Sequence, residues 1–220
     1  MTDWQAAIPN ETGEFAADCE RFARFWRLSA DALSRLPAKR ARSAAQQQAA
    51  DELLTAARAA RKRFALAHTS TLYDRLTDGR RRFVRVQQLV YDAADRVPGL
   101  APARETVAAE SALPQRDKDG HEIDQGILLW ALLADAQAGR HLCHAMLLPR
   151  PEALERLPAL ERSGRLDLGA AEVRREGKAS VVILKNPRHM NAEDNTTLDN
   201  TEIAVDLAIL DPATEIAVLR

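Results

Sequence analysis

The sequence predicts an α/β protein in which a large helical N-terminal domain precedes a short segment of strands and one helix. The first observation is that residues 14 to about 160 are dominated by Ala, Leu, Arg and Gln, which favour helices. The second is that β-branched runs and turn residues replace this composition near residue 170. We therefore predict a helical domain at 1–168 and the start of a β/α domain at 169–220, which we expect to continue beyond the end of the chain.

Helical periodicity supports the first domain. Apolar residues recur every three or four positions, which is the spacing of one face of a helix. Two such stripes are Leu53, Ala57, Ala60, Phe64 and Ala67, and Phe83, Val86, Val90, Ala93 and Val97. Pro98-Gly99 ends the second stripe, and residues 29–31 and 77–79 have the composition of helix boundaries.

Residues 126–148, GILLWALLADAQAGRHLCHAMLL, are apolar at most positions. They predict one helix that is buried on most of its sides and ends before Pro149 and Pro151. The most apolar part of this stretch is too short to span a bilayer, and charged residues follow it. We therefore expect no association with a membrane.

The β/α segment begins with AEVRREGKASVVILKN, residues 171–186. This stretch predicts two strands joined by a turn at residues 176–178, with the second strand buried on both faces. Residues 198–210 have a helix-like apolar stripe, and residues 214–220 form another short apolar run that predicts a strand. Because a sheet cut off at this strand would leave an open edge, we expect the chain to be a fragment of a longer protein.

Composition and charge narrow the function classes. The 220 residues are 46% apolar, which is enough for a sizeable core. A formal net charge of −1 argues against a nucleic-acid partner. Cys19 and Cys143 are far apart and do not suggest a disulfide scaffold, and the N-terminus lacks the features of a secretory signal. We therefore expect a cytoplasmic protein.

The stretch VRREGKASVVILKNPRHMNAEDNTTLDN, residues 173–200, resembles the start of the crotonase (enoyl-CoA hydratase/isomerase) superfamily. The matching features are Gly177 in the hairpin, the strand at 181–184, Asn186-Pro187 at its end and Asn191-Ala192 in the following turn. Residues 215–220, EIAVLR, are similar to the second core strand of that superfamily. The resemblance implies a crotonase-like domain of which this chain holds the first strands and helix.

A long helical region ahead of such a domain, together with NPRHMNAEDN, is similar to the crotonases that act as cofactor-independent dioxygenases. This implies conversion of 3,5-dihydroxyphenylacetyl-CoA and O₂ to 3,5-dihydroxyphenylglyoxylate and CoA, a route to dihydroxyphenylglycine for glycopeptide antibiotics. The acyl-CoA is then substrate, O₂ is co-substrate, and no cofactor is expected. The resemblance also implies a homo-oligomer, either a trimer or a hexamer.

Crotonases hold the thioester oxygen with two backbone N–H groups, which stabilise the negative charge that develops there. In the superfamily these groups lie in an Ala-Gly-Asp type loop and at a Gly-Gly helix start, and neither motif occurs in this sequence. We therefore expect no catalytic residue within the chain, place the catalytic centre beyond Arg220, and expect the chain alone to be inactive.

Glu193 is the strongest candidate site residue, because the superfamily usually has an apolar residue at this position. A carboxylate here could accept hydrogen bonds from the phenol hydroxyls of the substrate. The alternative is that Glu193 lies in the first turn of the next helix, where negative charge is favoured. Asp194 fits that helical role better, and Asn195 is a candidate for the N-cap.

The other candidate substrate-binding residues are Arg188, His189, Met190 and Asn191. By resemblance they occupy the turn where the chain passes the adenine and pantetheine of CoA, and Arg188 could reach a phosphate. A solvated loop is the alternative for each of them.

Three further clusters carry weaker signals. His141 and His144 have the i, i+3 spacing of a metal pair, but no carboxylate has ligand-like spacing, so buried or interface histidines are favoured and no metal is expected. QRDKDGHEID, residues 115–124, fails the spacing of a calcium loop and predicts a polar turn. The basic run at 78–85 predicts solvated arginines, with contact to CoA phosphates or to a neighbouring subunit as the alternative.

Two other functions remain open from the sequence. One is another crotonase-type acyl-CoA enzyme, a hydratase or a thioesterase, in which Glu193 would have no ring to bind. The other is a helical interaction module whose last residues only resemble a crotonase.

Overall fold

The computed structural model describes residues 3–194 and 196–220. The chain divides into two compact units, Met1–Met146 and Leu147–Arg220. The first unit is helical and the second combines two helices with a small sheet, so the predicted mixture of helix and sheet is confirmed. Within the described residues, no helix combines the length and the apolar character needed to cross a membrane.

The first unit is built from helices joined by short loops. Their bounds are α1 Asp3–Ala6, α2 Phe15–Ser34, α3 Ala44–Leu76, α4 Val86–Arg96, α5 Arg104–Ser111, α6 His121–Ala134 and α7 Ala136–Leu147. Short 3₁₀ turns lie at Lys39–Ala41 and Gln115–Asp117.

The long helix α3 organises the core of this unit. It begins with a capping box in which Ser43 and Gln46 satisfy each other's backbone N–H groups. The stripe predicted from Leu53 to Phe64 is buried against α2 and α6, but it continues at His68 and not at Ala67, which is exposed. The predicted helix end at Thr77 is confirmed, because this residue is the C-cap of α3.

Residues 126–148 do not form the single buried helix that the sequence predicts. The chain leaves the helical conformation at Asp135, whose Oδ1 accepts the N–H groups of Gln137 and Ala138 and so caps α7. Trp130 and Leu133 on α6 are 46% and 52% exposed. The predicted boundary at residues 29–31 is also wrong, because Ser29 is buried inside α2 and bonds to the carbonyl of Phe25.

The second unit contains the strands. Its elements are α8 Pro151–Ser163, β1 Arg165–Asp167, β2 Ala171–Glu176, β3 Ala179–Leu184, α9 Leu198–Leu210 and β4 Ile216–Leu219, with a 3₁₀ turn at Pro187–His189. The sheet order is β1-β2-β3-β4. The first three strands pair antiparallel, whereas β3 and β4 pair parallel and are connected through α9.

The predicted order of strand, strand, helix and strand is therefore confirmed for β2, β3, α9 and β4. The compact unit begins at Leu147, upstream of the predicted boundary at 168, because α8 packs on α9 and β1 pairs with β2. The sequence analysis did not predict β1, which is only three residues long.

The core of this unit lies between the sheet and the two helices. Val173 and Val182 are cross-strand partners and pack with Leu160, Ile203 and Leu207. Val181, the neighbour of Val182, is also buried, which confirms the burial of β3 on both faces at its centre. All four residues of β4 are exposed.

Candidate functional site

The predicted substrate-binding residues lie in one loop, residues 186–194, between β3 and the start of α9. After the 3₁₀ turn, Met190 and Asn191 both adopt left-handed conformations, with φ of 54° and 58°. Asn tolerates this region through local hydrogen bonds, but it is unfavourable for a side chain such as that of Met. The backbone of the 186–194 loop is therefore held in a specific shape that its own residues must stabilise.

Asn186 and Asn191 provide this stabilisation by bonding across the loop. The N–H of Asn186 donates to Oδ1 of Asn191 at 2.9 Å, and the N–H of Asn191 donates to the carbonyl of Asn186 at 2.8 Å. The side-chain amide of Asn186 donates to the carbonyl of Ala192 at 2.9 Å. The side-chain oxygen of Asn191, a predicted substrate-binding residue, is thus bonded to the backbone of the loop.

Asp194 lies in the turn ahead of α9 and not in the first turn of the helix as predicted, because α9 begins only at Leu198. Its Oδ1 accepts the N–H and the hydroxyl of Thr196 at 2.8 and 2.6 Å. Its own N–H lies 3.0 Å from Oγ1 of Thr197, and its carbonyl accepts the N–H of Leu198 at 3.0 Å. The hydrogen bonds from Thr196 lower the pKa of Asp194 below its ordinary value. Asn195, the predicted N-cap, lies outside the described residues.

Glu193 differs from its neighbour. Its side chain is exposed, and its carboxylate makes no hydrogen bond or ion pair with any residue that the structure describes. The side chains of Arg188, His189 and Met190 are exposed in the same way, and Met190 is 95% accessible. The backbone of the loop is thus stabilised by its own hydrogen bonds, while the side chains of Glu193, Arg188 and His189 extend into solvent. Contact of these residues with a substrate stays a prediction.

Ion pairs fix the base of the loop to the sheet. Nζ of Lys185, which precedes the loop, lies 2.6 Å from Oδ2 of Asp167 and 3.7 Å from Oε2 of Glu172. The N–H of Lys185 donates to the carbonyl of Ala170. Because Asp167 and Glu172 lie on β1 and β2, the entry to the loop is tied to both strands.

A second anchor lies between α9 and β4. The guanidinium of Arg175 donates two hydrogen bonds to the buried carboxylate of Asp211, from Nε to Oδ2 at 2.8 Å and from Nη2 to Oδ1 at 2.7 Å. Although burial alone would raise the pKa of Asp211, hydrogen bonds from Arg175, Ala213 and Thr214 lower it. The sequence analysis missed this pair. Asp211-Pro212 is a recognisable turn signal, but nothing local points to Arg175 as its partner.

Arg150 is a third residue that the sequence analysis missed. Its N–H donates to Oδ2 of Asp206 at 2.8 Å, and its Nη1 lies 2.6 Å from Asp199 and 3.2 Å from Glu202. These three carboxylates all lie on α9, so Arg150 fixes the start of α8 to that helix. Its position between two prolines gave no indication of this role.

The histidines of α7 are packed against aromatic rings. Nδ1 of His141 lies 2.8 Å from the hydroxyl of Tyr73, and the imidazole stacks on Phe83 at 4.6 Å. The ring of His144 contacts the same Phe83 edge-on at 5.1 Å. The two histidines therefore pack on an aromatic ring, but neither is buried as predicted: His141 is half-buried and His144 is exposed. Over residues 3–194 and 196–220, no group of three potential ligands could hold a metal ion.

The basic run at 78–85 is largely occupied by local partners. Arg80 pairs with Asp74 at 2.7 Å, Arg81 pairs with Asp78 at 2.8 Å, and Arg82 donates to the carbonyl of Leu76. These contacts support the prediction of solvated arginines that form surface ion pairs, each of which contributes little to stability.

Comparison with known proteins adds one observation. The chain matches no family model. It is 44% identical over 188 residues to (3,5-dihydroxyphenyl)acetyl-CoA 1,2-dioxygenase of Amycolatopsis orientalis, an alignment that covers 86% of this chain and 43% of that protein. The chain thus spans less than half the length of this relative. The aligned region is longer than either compact unit, so the similarity includes parts of both.

Proposed function

We propose that this chain is part of a dioxygenase that acts on (3,5-dihydroxyphenyl)acetyl-CoA. The observation that carries the proposal is the 44% identity over 188 residues to a protein of that name. The 186–194 loop supports it, because a stabilised backbone there carries exposed side chains that suit an acyl-CoA with a hydroxylated ring. The crotonase-like continuation of the fold and a role in antibiotic biosynthesis belong to the same proposal.

The reaction is balanced without any further reactant. The CH₂ group next to the thioester becomes a ketone, the thioester carbon becomes a carboxylic acid, and CoA leaves as a thiol. Both atoms of O₂ enter the aryl-glyoxylate, and the two methylene hydrogens account for the acid proton and the thiol proton. The substrate supplies all four electrons that O₂ accepts, so the proposal includes no metal, flavin or external reductant.

Glu193 is assigned to recognition of the ring. An ionised carboxylate accepts hydrogen bonds from two phenol hydroxyls, a charge-assisted interaction of about 1.5–3 kcal/mol. The carboxylate of Glu193 is available for this, because no described residue occupies it. A ring without hydroxyls would leave the carboxylate unpaired on binding, and this would discriminate against plain phenylacetyl-CoA.

Arg188 and His189 are assigned to the CoA portion of the substrate. A guanidinium binds phosphate oxygens in a two-pronged geometry, and Arg188 is free of any described partner. Asn191 and Met190 shape the backbone of the turn, which can bind the adenine through its own polar groups. No residue of this chain is assigned to the hydrogen-bond donors that hold the thioester oxygen.

The experiment is to incubate the native protein that carries these residues with (3,5-dihydroxyphenyl)acetyl-CoA under ¹⁸O₂. We expect one O₂ consumed per CoA released and two ¹⁸O atoms in the acid product. Release of CoA without O₂ uptake would instead favour a thioesterase, and addition of water to an unsaturated acyl-CoA would favour a hydratase. Either result would overturn the dioxygenase proposal.

Self-association is proposed for the first unit. Ile123, Trp130 and Leu133 lie on one side of α6 at helical spacing and are 53%, 46% and 52% exposed. We call these three residues the α6 stripe. Large exposed apolar residues in a row are typical of interaction surfaces. A second copy of the chain is the partner that we propose for it, within a trimer or hexamer of a cytoplasmic enzyme.

A further inference from the structure

A cavity of about 400 Å³ lies within the first unit, between α2, α3 and the segment that leads into α6. Its volume falls in the range of small-molecule sites, roughly 300–1,000 Å³. One wall is apolar and is formed by Trp26, Leu33, Leu36, Leu53, Leu54 and Ala57. The other end is charged and is formed by Arg42, Arg61, Asp119, His121 and Asp124.

The carboxylates at the charged end are already occupied. Both oxygens of Asp119 accept hydrogen bonds from Arg42, at 2.7 and 2.8 Å. Asp124 is 1% exposed, and its Oδ1 accepts from Nε of Arg58 at 3.1 Å. The acceptors of this cavity are therefore satisfied by the protein itself, and a ligand would find few free ones.

The donors are not all occupied. Nε of Arg61 donates to the carbonyl of Gly99 at 2.9 Å, and its Nη1 lies 3.3 Å from Oδ2 of Asp124. Nη2 of Arg61 forms no hydrogen bond to a described residue, although the side chain is only 13% exposed. Nδ1 of His121 lies 3.9 Å from the same Oδ2, and its Nε2 has no described partner. Arg61 and His121 thus each bring a donor without a described partner to the lining of this cavity.

The groups at this end of the cavity favour an anion over a cation. Arg58, Arg61 and His121 all face the carboxylate of Asp124. The carboxylate of Glu110 accepts hydrogen bonds from the N–H groups of residues 119–121, so it offers no free acceptor to a cation, although its charge acts on His121. The interaction with Asp124, together with Glu110 and Asp119, raises the pKa of His121, so its positive charge persists to higher pH than usual.

We propose that this cavity binds a small carboxylic acid with an apolar or aromatic body. The ligand carboxylate accepts hydrogen bonds from the terminal nitrogens of Arg61 and from Nε2 of His121. The apolar body packs against Trp26 and the leucines of the opposite wall. A cationic ligand would be repelled by the guanidinium of Arg61 and would find the nearby carboxylates already bonded, and a purely apolar one would give the unused donors of Arg61 and His121 no acceptor.

The test is calorimetric titration of the whole chain with phenylacetate and, as a neutral control of the same shape, phenylacetamide. We expect saturable binding of phenylacetate and at least tenfold weaker binding of the amide. Equal affinity for both ligands, or no binding of phenylacetate at millimolar concentration, would overturn the proposal.

Two variants locate the site. Arg61→Gln should weaken phenylacetate binding at least tenfold, but it also removes a bond to Gly99 that the fold uses. Ala30→Phe fills the cavity from its exposed rim on α2, so it should abolish binding and leave the melting temperature unchanged. Ala17→Phe, on an exposed position of the same helix, is the matched control and should bind normally. Retained binding in Ala30→Phe would place phenylacetate elsewhere and contradict the proposal.

Discussion

Glu193 and Asp194 are adjacent in the sequence, yet their carboxylates have different structural roles. The carboxylate of Asp194 accepts two hydrogen bonds from Thr196 in the turn ahead of α9, whereas that of Glu193 is exposed and has no partner among the described residues. Asp194 therefore fixes the backbone from which Glu193 extends. One acid serves the fold, and the other is available to a ligand.

Asn191→Ala should loosen the 186–194 loop through two effects. It removes the acceptor for the N–H of Asn186, and it places Ala in a left-handed conformation with φ of 58°. Asn191→Gly removes the same acceptor without the conformational penalty, which is about 1–2 kcal/mol for a non-glycine residue. We expect urea unfolding to rank the stabilities as wild type, then the Gly variant, then the Ala variant. Equal stability of the two variants would show that the backbone conformation does not matter.

Asp211→Asn should destabilise the second unit by about 3 kcal/mol, because it leaves the guanidinium of Arg175 without its buried anion. The pKa of Asp211 is lowered in the folded state, so the unfolded state binds more protons as the pH falls. The stabilisation is therefore complete above the ordinary Asp value of about 3.9 and is lost below it.

Urea unfolding at pH 7 and pH 3 checks this directly. The free energy of unfolding of the wild type should fall from pH 7 to pH 3, and that of the Asp211→Asn variant should fall by less. Glu176→Gln, which alters an exposed pair with Arg174, is the control and should change neither the stability nor its pH dependence appreciably. If the Asp211→Asn variant is as stable as the wild type at pH 7, the Arg175–Asp211 pair does not stabilise the second unit.

Trp130→Glu should reduce self-association, because it places a charge in the middle of the α6 stripe. We expect a smaller mass by light scattering and an unchanged helical circular dichroism spectrum. Leu113→Glu, at another exposed apolar position of the first unit, is the control. An unchanged mass in Trp130→Glu, or an equal change in the control, would remove the α6 stripe from consideration as the interface.

Exhaustive treatment with EDTA should leave the dioxygenase activity of the native protein unchanged, since the proposed reaction draws its electrons from the substrate. O₂ uptake before and after chelation measures this. Loss of activity that a single metal ion restores would contradict the cofactor-independent mechanism.

Much of the fold follows from local sequence. The stripe on α3 and the β-branched run of β3 specify elements through periodicity alone, and both are where the sequence predicts them. The break at Asp135 was missed because an apolar run hides a single capping residue. The close approach of α6 and α7 at this break also requires glycine at position 139, because a Cβ atom there would lie 2.7 Å from the carbonyl oxygen of Leu133 and would clash with it.

The candidate site is predictable only in part. The choice of the 186–194 loop follows from the end of β3 and from the resemblance of the NPRHMNAEDN stretch. The Asn186–Asn191 bonds and the Arg175–Asp211 pair join residues whose partners have no local signal, and they emerge only when the chain is folded. The cavity of the first unit has the same origin, since Arg61 and His121 are 60 positions apart in sequence.

The most direct test of the central claim compares two acyl-CoA ligands on Glu193→Gln in the native protein. We predict that its affinity for (3,5-dihydroxyphenyl)acetyl-CoA falls about tenfold to a hundredfold, whereas its affinity for phenylacetyl-CoA is nearly unchanged. Asp194→Asn, the control, should affect both ligands equally, because Asp194 stabilises the turn ahead of α9 through Thr196. An equal loss for both ligands in Glu193→Gln would contradict the assignment of this carboxylate to the ring.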